Sequence, residues 1–130
     1  MARRPLLVAL ACALGIAGGC GGGGEEVYEI EPVRSCLHDV PGVQVTDAVD
    51  VVSSTALGGA VHARFRDNEV TVALGDSLDD ADRTERAYRR FAPKTLRIDH
   101  VLKRDRNAVL LWTTTPSEAD AAAVTRCLQG

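Results

Sequence analysis

The chain has 130 residues, with 15 basic and 18 acidic side chains and a formal net charge of −3, which leaves room for one domain at most. That balance argues against nucleic acid as a partner, because phosphate binding needs a net basic face. It argues equally against adhesion to anionic lipid through charge alone.

The chain opens with Arg3 and Arg4, followed by an apolar run from Leu6 to Ala17 and then Gly18, Gly19 and Cys20. A basic start, an apolar stretch too short to span a bilayer and a small-residue exit describe a secretory signal over residues 1–19. Cleavage there discards two of the 15 cations and no acid, so the mature chain carries −5 on 111 residues. That length suffices for one modest core. Residues 20–26 include Gly21 to Gly24, which cannot pack and read as a tether. The domain proper is 27–130. A phosphate-binding loop does not fit Gly21–Gly24, since no strand precedes it and no Gly-Lys-Ser/Thr follows.

The segment Ile16-Ala17-Gly18-Gly19-Cys20 resembles the lipobox of bacterial lipoprotein precursors. Alanine stands three before the cysteine, where leucine is usual, and Ala17-x-Gly19 also suits an ordinary signal peptidase. The resemblance implies that Cys20 carries a diacylglyceryl anchor, placing the domain at the outer face of the cell membrane in the cell envelope. The ordinary signal peptidase would give a secreted chain instead. The remainder resembles small exported proteins of GC-rich bacteria, a likeness that carries over no active residues.

Cys12 goes with the signal and Cys20 is the anchor candidate, which leaves Cys36 and Cys127. In an exported protein that even remainder predicts a disulfide. Its closed loop counts 92 residues, worth about 4–5 kcal/mol on a chain-entropy model. Nothing basic flanks both cysteines to hold them as thiolates.

In chain order, Pro32 to Asp39 predicts a short helix, with Val33, Cys36, Leu37 and Val40 at helical spacing and Pro41-Gly42 as the stop. Val43–Val45 reads as a brief strand. Residues 47–58 have mixed spacing and stay unassigned. Val61, Ala63 and Phe65 alternate with His62, Arg64 and Arg66; Val70, Val72 and Leu74 alternate again, and Asp67-Asn68 forms the turn of a β-hairpin. Ser77 with Asp80 resembles a capping box for a helix from Leu78 to Ala92, with Leu78, Ala81, Tyr88 and Phe91 as its buried stripe. Pro93 ends it.

A second unit of the same kind follows: a strand from Thr95 to Lys103, a turn over Arg104–Asn107 and a strand from Ala108 to Thr114. The last helix starts from a Thr115 cap with Pro116 in first position, and turns Ala121, Val124, Cys127 and Leu128 inward. The order is α-β-ββα-ββα. It predicts an α+β two-layer sandwich, a mostly antiparallel sheet with helices on one face. The predicted disulfide would then set the first and last helices side by side.

Chemistry-bearing residues are sparse. The three histidines have no metal-ligand spacing, and no cofactor motif is present. His62 sits on the polar side of its strand, His100 shares a face with Leu96, Ile98 and Leu102, and His38 sits at a helix end where a cation suits the dipole. Asp79, Asp80 and Asp82 crowd a helix start and lack the glycine and terminal glutamate of a calcium loop. Arg64, Arg66, Arg97 and Lys103 fall opposite the apolar sets of their strands and would share the open sheet face. Ala108 to Trp112 is apolar on both sides, so it is either central or needs cover, for which 47–58 is the candidate.

The expected function is non-catalytic binding of an envelope protein or a small anionic ligand through that face. The rival expectations are a small exported hydrolase using His62 or His100, and a structural accessory of an envelope complex.

Overall fold

The computed structural model describes residues 26–48 and 50–130. The signal segment, Cys20 and the Gly21–Gly24 tether lie outside the described residues. Helix α1 (Ile30–Asp39) leads into β1 (Gln44–Asp47), a single 3-10 turn (Ser53–Thr55), β2 (Ala60–Arg64) and β3 (Glu69–Leu74). Then come α2 (Leu78–Phe91), α3 (Ile98–Val101), β4 (Leu102–Asp105), β5 (Ala108–Trp112) and α4 (Glu118–Gln129). The five strands form one antiparallel sheet in the order β1-β2-β3-β5-β4. The α+β class and the interleaving of hairpins with helices are as expected.

Strand alternation builds one face from Val61, Ala63, Val70, Val72, Leu74, Leu110 and Trp112. Helix α1 covers it with Val33 and Leu37, and α4 with Ala123, Val124, Cys127 and Leu128. The Phe65 ring packs on Trp112 with centroids 5.7 Å apart. Cys36 and Cys127 are disulfide-bonded with their Cα atoms 5.3 Å apart, and α1 and α4 do lie side by side.

The helices are not all on that face. Helix α2 lies across the other side, where Ala81 and Tyr88 pack on Leu102 and Val109. The cause is β5: Val109 is as buried as its neighbours Ala108 and Leu110, so this strand needs apolar cover on both sides. Val52, from the unassigned 47–58 segment, joins that second cluster.

The expected strand over 95–103 is also corrected. Backbone bonds Leu96 N–H to Pro93 O, Ile98 N–H to Leu96 O and His100 N–H to Arg97 O turn the chain, and only from Leu102 is it extended. Ile98, Val101 and Leu102 are apolar at i, i+3 and i+4 as well as at near-alternating spacing. Short apolar runs are ambiguous between the two periods, and here the chain takes a short helix before Val101 and Leu102 enter the two clusters.

Three local signals shift position. Helix α1 begins at Ile30, so Pro32 sits within its first turn, where the N–H it lacks would have no partner anyway. Helix α4 is capped by Ser117, whose side chain accepts from Asp120 N–H, and Thr115 and Pro116 precede it. In the first hairpin, Phe65 N–H bonds Asn68 O across Arg66-Asp67, and the buried Asn68 amide exchanges bonds with the backbone of Thr114 at 2.9 and 3.1 Å. Arg106 is the sole non-glycine of positive φ among the described residues, so the Asp67-Asn68 turn does not use the left-handed region.

Candidate binding groove

Helix α2 presents Ala81, Thr84 and Tyr88 to the sheet at helical spacing. Its start is a network. The Ser77 side chain accepts from Asp80 N–H at 3.1 Å, as the capping-box spacing implies. The Asp80 carboxylate is not solvated like an ordinary first-turn acid. It is buried, and it accepts from Leu57 N–H at 3.1 Å, Asp76 N–H at 3.2 Å and Arg83 at 3.1 Å. It thereby pins the 50–58 segment to the head of α2.

The other end of that segment is pinned further along the same helix. Tyr88 Oη donates to the Asp50 carboxylate, 2.9 and 3.0 Å from its two oxygens, and Ser53 N–H donates to Asp50 Oδ1 at 2.7 Å. Burial first, and then the neighbouring Asp50 charge, hold the Tyr88 hydroxyl pKa well above its ordinary 10.0.

Between these two fixed points and the chain that follows α2, a groove of 460 Å³ opens. Its walls are Val51 and Val52 on one side and Phe91, Ala92, Pro93, Leu96 and Ile98 on the other, with Leu111 of β5 also contributing. Asp50 and Tyr88 supply its polar groups. Because Pro93 stops the helix, Phe91 is left largely in solvent, 70 % exposed, and Val51 is 82 % exposed. Phe91 was expected in the buried stripe of α2; instead it stands at the groove. The volume falls within the range of small-molecule sites, and apolar walls with a few convergent polar groups are their usual composition. No Lys, Arg or His lines it.

The four cations expected to share an open face are dispersed. Arg64 is on β2, where its Nε donates to Glu69 at 2.7 Å, and Arg66 is in the following turn. Arg97 is not on a strand but caps α3. Lys103 is on the far edge strand, separated from Arg64 by β3 and β5, with Nζ 3.1 Å from the Asp99 carbonyl. Arg104, which sequence reading left in a turn, is the cation that ties β4 to α2. It reaches Asp82 at 2.6 Å, Glu85 at 3.2 Å and the Leu78 carbonyl at 3.1 Å.

The histidines part company. His62 was expected to face solvent; its side chain is 23 % exposed and lies between Thr71 Oγ1 at 3.3 Å and Glu69 Oε2 at 3.2 Å. Hydrogen bonding from Arg64 holds the Glu69 pKa below its ordinary value, with His62 adding to the effect. His100, expected at the core edge of a strand, is exposed on α3. His38 is exposed in the last turn of α1, as expected. None of the five described cavities includes His62, Thr71 or His100. Among the described residues no set of three His, Cys, Asp or Glu could hold a metal ion, and no helix is long and apolar enough to cross a membrane.

Comparison with protein-family models, curated proteins and solved structures finds no match to this chain.

Proposed function

We propose that this chain is a lipid-anchored cell-envelope domain that works by non-catalytic binding, with a neutral apolar ligand held in the groove beside α2. The observation that carries the reading is the groove itself: 460 Å³, apolar walls, and the Asp50–Tyr88 pair as its polar end. Asp50 already receives Ser53 N–H and Tyr88 Oη, and its carboxylate keeps lone pairs for a ligand donor. An anionic ligand meets only a carboxylate there, so the small-anion version of the binding reading loses its support at this site. An apolar side chain of an envelope protein partner has the chemistry to enter it.

The disulfide is compatible with an exported chain, because such bonds persist in oxidising compartments. Attachment through Cys20 rests on the lipobox resemblance. The hydrolase reading retains one favourable observation, the Thr71–His62–Glu69 line, but only Glu69 of it borders a described cavity, and neither His62 nor Thr71 reaches that recess. The reading as a structural accessory has no feature of its own.

The test is titration of the full oxidised chain with the neutral fluorophore N-phenyl-1-naphthylamine, compared with Ile98→Trp, which fills the groove. Saturable binding that Ile98→Trp weakens about tenfold supports the groove, since that corresponds to losing one good apolar contact set. Equal binding by both proteins, with the fold of the variant intact by circular dichroism, overturns it. Intact mass of the chain from native membranes then reads the anchor: a diacylglyceryl-sized addition at Cys20 supports it, and an unmodified secreted chain removes it.

A further inference from the structure

The outer side of α2 carries a second surface, which shares Phe91 and Val51 with the rim of the groove. With Ala81, Thr84 and Tyr88 turned inward, helical spacing puts Arg83, Arg86 and Arg90 outward, and all three are exposed. Arg83 spends its charge on Asp80; Arg86 and Arg90 have no ion-pair partner among the described residues. Beside this stripe lie exposed apolar side chains. Arg83, Arg86, Ala87, Arg90 and Phe91 border one shallow recess, and Leu57 borders the next one along the helix with Arg83 and Ala87. The Arg90 guanidinium is 5.7 Å from the Phe91 ring centroid. Leu57 is 65 % exposed, and Phe91 and Val51 more so.

Of the acids of α2, Asp79 is exposed at the head of this same stripe, one turn before Arg83, and Asp80 is buried and paired with Arg83. Asp82 and Glu85 turn toward β4 and are taken up by Arg104, with Arg89 also on Glu85. The later turns of the stripe therefore set two free arginines, Arg86 and Arg90, next to protruding apolar groups.

We infer that this face docks on an anionic lipid surface, with Phe91, Leu57 and Val51 entering the headgroup boundary and Arg86 and Arg90 meeting phosphate. Charge complementarity selects the occupant. Arginines flanking exposed aromatic and aliphatic side chains are the composition of interfacial membrane binding, and each cation near an anionic surface adds to it. A zwitterionic bilayer offers the apolar term alone. Net charge disfavours anionic lipid, but screening makes the local face count and not the distant acids. The face shares Phe91 and Val51 with the groove, and Leu57, which the groove does not include, separates the two readings.

Hydroxyl-radical footprinting of the full chain, read by mass spectrometry, tests it with phosphatidylcholine vesicles that contain or lack phosphatidylglycerol. Oxidation of both Phe91 and Leu57 should slow several-fold with phosphatidylglycerol present and not without it. Phe65, on the other side of the sheet, should be unchanged. Arg86→Gln with Arg90→Gln should weaken the vesicle concentration dependence about 30-fold, the effect of removing two surface cations. Equal rates in both vesicle types, or protection that survives the double substitution, overturns the inference. Protection of Phe91 without Leu57 reports a lipid chain in the groove only, and also overturns it. Protection by soluble polyglutamate but not by vesicles would assign the face to an acidic protein instead.

Discussion

Asn107 and Tyr28 are joined by two opposed hydrogen bonds: Tyr28 N–H donates to Asn107 Oδ1 at 2.7 Å, and Asn107 Nδ2 donates back to the Tyr28 carbonyl at 2.9 Å. The same Nδ2 reaches the Gly75 carbonyl at 2.8 Å, and the Asn107 side chain is fully buried. One amide at a hairpin turn thus holds the segment entering α1 and the loop leading to α2. Asn68, at the other hairpin, ties its own turn to the chain leaving β5 in the same manner.

Asn107→Ala should cost about 2–4 kcal/mol in urea unfolding, because it leaves buried backbone groups of Tyr28 and Gly75 without partners. Asn107→Asp should be no better, since a carboxylate oxygen would then face two carbonyls. A loss under about 1 kcal/mol in both would mean that water replaces the amide.

Asp80→Ala releases Leu57 N–H, Asp76 N–H and Arg83 together. The expected loss is about 2–3 kcal/mol, since these bonds go to a buried charged acceptor. The loss should be accompanied by faster amide exchange over residues 50–58. Because that segment forms one wall of the groove, binding of the neutral fluorophore should weaken in parallel. Unchanged exchange over 50–58 would show that the Tyr88–Asp50 contact holds the segment alone.

Replacing both Cys36 and Cys127 by serine should lower stability by about 4–5 kcal/mol, the chain-entropy value for so long a loop. A domain of this size has about 5–15 kcal/mol in total, so the variant should be marginal or unfolded at growth temperature. Thermal unfolding with and without reductant measures it. A shift of only a few degrees would mean that packing of α1 on α4 suffices without the bond.

Tyr88 predicts an alkaline limb. Its folded pKa lies above the unfolded 10.0, so its contribution is fully present below pH 10. It falls as pH rises through and beyond that point, because the unfolded chain ionises first and binds fewer protons. Tyr28 shifts the same way, through burial first and its Asp105 hydrogen bond second. Tyr88→Phe should therefore shrink the loss of stability above pH 10 without abolishing it. An identical alkaline slope in wild type and variant would contradict the Tyr88–Asp50 contact.

Much of the local structure is legible without coordinates. Alternation of Val61, Ala63 and Phe65 against Val70, Val72 and Leu74 marks one hairpin, Ser77 with Asp80 marks the start of α2, and two leftover cysteines mark the bridge. These signals act within a few residues or, for the bridge, through simple counting. The 95–103 misassignment has the opposite origin. Ile98, Val101 and Leu102 satisfy two periods at once, and nothing local in the sequence separates the turn at Pro93–Val101 from an extended run.

The groove was illegible for the same reason. Asp50 and Tyr88 are 38 residues apart, and Val52, Phe91 and Leu111 share no motif. Nothing local marks a loop as the cover of a particular strand.

By itself the sequence determined the α+β class, the first hairpin, α1, α2 and α4, and the pairing of Cys36 with Cys127, because hydrophobic period, caps and cysteine number are properties of short stretches or of counts. Only the tertiary structure decided that α2 crosses to the opposite face, that Asp80 and Asp50 fasten the 50–58 segment to it, and that Arg86 and Arg90 stand free beside Phe91. Those outcomes depend on which side of the sheet had apolar surface left to cover, a property of the assembled strands and of no single segment.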